Sequence, residues 1–170
     1  MTDQTNDNPC DTDGVAHTFD LVLERIIDAP PETVFRAYTD PQLMQQWFAP
    51  KPWSIHDPVI EPRPGGRFQF VMRGPDGEAF PNTGVYLEVV PNRRIVTTDA
   101  FTPGWKPSGQ PFMVARVEFE PTGDGKTRYK ATASHWTAEA KAQHEQMGFH
   151  EGWGQCADQL NDLVKTLGAS

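Results

Sequence analysis

No run of about 18 apolar residues occurs in this sequence, which excludes a helix long enough to cross a bilayer. No basic segment followed by an apolar core opens it, so a secretory signal is not expected either. Cysteine is scarce: Cys10 falls in a polar stretch and Cys156 in a helical pattern. Two such residues make neither a disulfide framework nor a CxxC metal site, and they fit free thiols in a reducing cytoplasm. Positive charge is also short, with 15 Lys and Arg against 23 Asp and Glu and a net charge of −8. No basic cluster overrides that field, so nucleic acid and anionic membrane are not expected partners. What the chain does have is 170 residues of which 37% are apolar and 11% aromatic, enough for one domain with its own core.

Residues 1–16 are polar and acidic with almost nothing to bury, and read as a disordered tail ahead of a single domain over 17–170. "HTFDLVLERII" then alternates around Phe19, Leu21 and Leu23, the period of a half-buried strand. "APPETVFRAYTD" and "DPQLMQQWF" follow as two short helices. Each has proline in its first turn, and Asp40 is placed to cap the second. "WSIHDPVI" fits a short strand interrupted by Pro58, and "RFQFVM" sends Phe68, Phe70 and Met72 to one face. "GPDGEAFPN" reads as turn chemistry, followed by strands "TGVYLEVV", "RRIVTTDAF", "MVARVEFEP" and "TRYKATASHW", the last two joined at "TGDG". The remainder reads as one long helix capped by Thr137, with Phe149, Trp153, Cys156, Leu160, Leu163 and Leu167 on its buried face. Gly148, Gly152 and Gly154 interrupt its middle and suggest close packing or a bend.

Familiar chemical motifs fail on inspection. Gly65 and Gly66 in "EPRPGGRFQF" lead into a strand, whereas a phosphate loop needs a helix N-terminus. They read as a tight turn requiring positive φ. "EPTGDGKT" ends like a phosphate-binding loop but has Glu120 at the first glycine position and strands on both sides. The histidines lack metal-site spacing, with His144 and His150 six residues apart and off one helical face, so no metal is expected. No nucleophile motif surrounds Ser54 or Ser134. An excess of aromatic and Met side chains remains. Most of them must be core, yet a long helix over a curved sheet can also leave an apolar cavity.

Four stretches carry a resemblance: "RIIDAPPETVFRAYTDPQLMQQWFAP" at 25–50, "RPGGRFQFVMRGPDG" at 63–77, "GVYLEVVPNRRIVTT" at 84–98 and "MGFHEGWGQCADQLNDL" at 147–163. In this order they resemble the family named for the activator of Hsp90 ATPase homologue 1, within the wider polyketide cyclase and lipid-transport (SRPBCC) superfamily. The resemblance implies an α+β, START-like helix-grip fold. In it a curved antiparallel sheet of about six or seven strands wraps round a long C-terminal helix, with two short helices after the first strand. It further implies a small apolar or aromatic ligand held between sheet and helix without a cofactor. The positions matching that cavity are Trp47, Phe68, Phe70, Met72, Tyr86, Phe101, Trp105, His135, Met147, His150 and Trp153. Two alternatives stay open beside the binding function. One is a cyclase- or hydrolase-type enzyme with His135 or His150 and Glu88 in acid–base roles. The other is a co-chaperone-like interaction module. A homodimer is compatible with each.

Overall fold

The structure, a computed structural model, describes residues 19–167. The expected tail over 1–16 and the expected start of the first strand at His17 lie outside these residues. Strand β1 (Asp20–Ile27) leads into helices α1 (Pro31–Thr39) and α2 (Pro41–Met44). Pro31 and Pro41 occupy first-turn positions, and Asp40 Oδ1 caps α2 by accepting from the backbone N–H of Gln42 at 2.9 Å. Strands β2 (Ser54–Ile60), β3 (Arg67–Arg73), β4 (Ala79–Val90) and β5 (Arg94–Thr98) come next. After them come the two-residue strands β6 (Phe101–Thr102) and β7 (Lys106–Pro107), then β8 (Val114–Pro121) and β9 (Thr127–Ser134). Helices α3 (Ala138–Gln146) and α4 (Phe149–Leu167) close the chain.

Seven strands make one antiparallel sheet in the order β1-β9-β8-β5-β4-β3-β2, while β6 and β7 pair separately. Edge strand β2 keeps its place despite Pro58 by bulging between His56 and Val59, with Asp57 at a φ of 52°. Strand β4 starts earlier than its composition suggests. Residues expected as turn, Ala79 to Asn82, pair with β3, Pro81 lying opposite Val71. Pairing with β5 begins only at Val85, so Pro81 stands where its second side needs no backbone donor.

The expected single C-terminal helix is two helices. Gly148 adopts a φ of 95° between them, a conformation that ends α3 at its C-cap Met147, and α4 restarts from Gly148, whose carbonyl accepts from Gly152 N–H. Helix α4 packs on β1 and α1. Its Ala157, Leu160 and Val164 join Leu21, Leu23 and Ile27 of β1 and Val34 of α1 in the main core. Each large aliphatic side chain buried there contributes about 2 kcal/mol. The N-terminal half of α4 instead faces the middle of the sheet, across a gap.

Candidate functional site: a cavity between sheet and helix

The gap is a cavity of about 490 Å³, inside the range of small-molecule sites. Its floor comes from alternate residues of the central strands: Tyr86 on β4, Thr97 on β5, Ala115 and Val117 on β8 and Tyr129 on β9. Phe68, Phe70 and Met72 form one wall, since alternation in β3 sends all three inward. Tyr38, Trp47 and Phe48 form a second, and the Trp47 indole N–H donates to the Ala37 carbonyl at 3.0 Å, which fixes the ring. The roof is Phe149, Gly152, Trp153 and Cys156 of α4, with Met147 68% exposed at the rim. The small residues Ala115 and Gly152 supply the room.

Of the expected ligand contacts, Trp47, Phe68, Phe70, Met72, Tyr86, Met147 and Trp153 line this cavity. Phe101, Trp105, His135 and His150 do not. The β6–β7 hairpin carries Phe101 and Trp105 away from the sheet interior, and Trp105 lies over the 63–66 turn, where a Cβ on Gly65 would meet its ring at 3.1 Å. His150 is exposed on the first turn of α4. His135 is buried behind the wall, one residue beyond β9. Glu88 ion-pairs with Arg94 on the half-exposed outer surface. The three acid–base candidates therefore do not converge.

A different histidine reaches the cavity. His144 is the one buried side chain of α3, a helix with no apolar stripe of its own. Its Nδ1 lies 2.9 Å from Nε2 of His135, nine residues earlier. Thr137, whose hydroxyl accepts from Ala140 N–H at 3.1 Å, starts α3 immediately after the strand end and folds the two imidazoles together. Phe112 packs on both rings, at centroid distances of 5.4 and 5.0 Å. Asp99 Oδ1 positions Phe112 by accepting from the backbone N–H groups of Phe112 at 2.9 Å and Met113 at 3.2 Å. Burial first, and the neighbouring His135 second, push the His144 pKa down to about 4. A pair spaced across a strand–helix corner matches no sequence motif, so only folding shows it.

The other polar groups of the lining divide into satisfied and unsatisfied. Tyr38 and Tyr129 hydroxyls bond each other at 2.6 Å, and burial holds both phenols well above their usual range. The Tyr86 hydroxyl is buried without a partner among the described residues. Burial also pushes the Cys156 thiol up to about 12, so it is a poor nucleophile near neutral pH. Among the described residues no Lys or Arg lines the cavity, and Asp99 is its only carboxylate.

Comparison with known proteins agrees with this architecture. The model of the family described as "Activator of Hsp90 ATPase homolog 1-like protein" matches residues 28–165. A crystal structure of a Nitrosomonas europaea protein is similar at 45% identity, with a TM-score of 0.85 over 89% of this chain and 97% of that one. A Mycobacterium smegmatis protein is similar at 26% identity and TM-score 0.70, covering 87% and 93% of the two chains. An Aeromonas hydrophila protein described as AHSA1-like shares the fold at 24% identity and TM-score 0.67, over 89% and 95%. No functionally curated protein matches. The helix-grip architecture and the matched model together place the chain in the activator of Hsp90 ATPase homologue 1-like family.

Proposed function

We propose that this protein binds a small apolar or aromatic molecule in the cavity between its sheet and helix α4, in the cytoplasm and without a cofactor. The observation that carries the reading is the cavity itself. About 490 Å³ of space lies under rings drawn from β3, β4, α1, the segment after α2, and α4. A domain of this size gains stability by closing such space, so leaving it open is costly unless something occupies it. The acid–base alternative has less support, because Glu88 and His150 lie outside the cavity and the Cys156 thiol is held protonated. Mass spectrometry of small molecules released from protein purified under native conditions tests the reading. An apolar or aromatic compound in near-stoichiometric amount is the expected result. Protein that is empty and also fails to bind aromatic probes would contradict it.

A further inference from the structure

The wall around His144 bears on which small molecules the cavity takes. The Phe19 carbonyl can only accept, and it receives both the His135 backbone N–H at 3.1 Å and His135 Nδ1 at 2.9 Å. Nδ1 of His135 therefore carries the proton. In the neutral ring Nε2 is then bare and accepts from Nδ1 of His144, 2.9 Å away. That bond leaves Nε2 of His144 as a lone-pair acceptor with no partner among the described residues, on a residue only 7% exposed and lining the cavity. Aromatic rings frame it, Phe149 at 5.2 Å and Trp153 at 5.8 Å from the imidazole.

We infer that the cavity selects uncharged apolar molecules bearing a hydroxyl or N–H donor, phenols foremost, whose proton Nε2 of His144 accepts. His135 is the positioning residue that fixes this tautomer. The inference rests on the proposed binding function and narrows its ligand class. A polar atom facing a cavity takes its partner from whatever fills the cavity, and a ligand donor supplies what the described residues do not. Carboxylates are selected against. With no Lys or Arg among the described residues of the wall, an acid would bury its charge beside Asp99 and a bare nitrogen lone pair. The low proton affinity of His144 keeps that lone pair free at pH 7.

Titration of the protein at pH 7 with naphthalene, a naphthol and a naphthoate tests this, since the three share one ring system. Naphthol should bind roughly three- to tenfold tighter than naphthalene, the effect of one neutral hydrogen bond. Naphthoate should bind more weakly than either. In the parent protein, long-range nitrogen–proton NMR should find the His144 proton on Nδ1. In His135→Leu the proton should move to Nε2 and naphthol should lose its advantage over naphthalene, as it should in His144→Phe. Should a variant fail to fold, the ligand series and the tautomer of the parent still decide. Equal affinities for naphthol and naphthalene, tightest binding of naphthoate, or a His144 proton on Nε2 in the parent would each overturn the inference alone. Failure of all three probes to bind would overturn the binding function, and this inference with it.

Discussion

His144 titrates against the fold. Its pKa lies near 4 in the folded protein and near the ordinary 6.5 in the unfolded chain. Between those values the unfolded chain binds a proton that the folded protein does not, so stability falls as pH drops from 6.5 towards 4 and levels off below. The loss attributable to this residue is on the order of 2–3 kcal/mol. Urea unfolding at a series of pH values should show it, and His144→Phe should show a flatter profile over the same window. A second expectation concerns Trp153, which contacts Phe149 at 4.6 Å on one side and borders the cavity on the other. Trp153→Ala should cost about 2 kcal/mol, below the roughly 3–5 kcal/mol of a fully packed aromatic, because part of its surface already meets empty space. Chemical denaturation of the pair decides. At this scale the sequence was readable where a regular period held. Phe68, Phe70 and Met72 face inward by strand alternation, and Phe149 and Trp153 by helical spacing. It was unreadable at Tyr38 and Phe48, where core and cavity wall coincide, and at Trp105, which a left-handed φ of 57° carries on the hairpin over the glycine turn.

Glycines decide how the elements meet. In the turn before β3 it is Gly65 that holds positive φ, at 80°, whereas Gly66 is required for a different reason: a Cβ there would overlap the Glu61 carbonyl and come within 2.9 Å of the Arg63 carbonyl. Gly66→Val should therefore destabilise the fold by about 3 kcal/mol or more, through forced backbone displacement. A change in thermal midpoint too small to measure would show that the turn relaxes. Gly152 is the opposite case. It is helical, and a Cβ added to it meets no atom within 4 Å. Gly152→Ala should stabilise the protein by about 0.5–1 kcal/mol from helix propensity alone, readable as a raised thermal midpoint. Element type and order were legible from punctuation and periodicity, including both proline-initiated helices and the alternating strands. Boundaries were less so. Pro81 looked like a turn residue because its freedom depends on β5 pairing only from Val85, a tertiary fact. The break at Gly148 was hidden because a glycine inside a helix and a glycine ending one look alike until φ is known.

At the scale of the whole molecule, one helix does two jobs along its length. Its C-terminal half closes the core with Ala157, Leu160 and Val164, while its N-terminal half, thinned at Gly152, stands off the sheet and roofs the cavity. The most direct test fills the space without touching the core. In Gly152→Leu the added side chain enters open volume from the roof. Calorimetric titration of naphthalene into the parent and into Gly152→Leu is the measurement. The expected result is binding by the parent and a loss of at least roughly tenfold in the variant, with the thermal midpoint unchanged or higher. Equal binding by the two proteins, or no binding by the parent, would contradict a ligand site between sheet and helix.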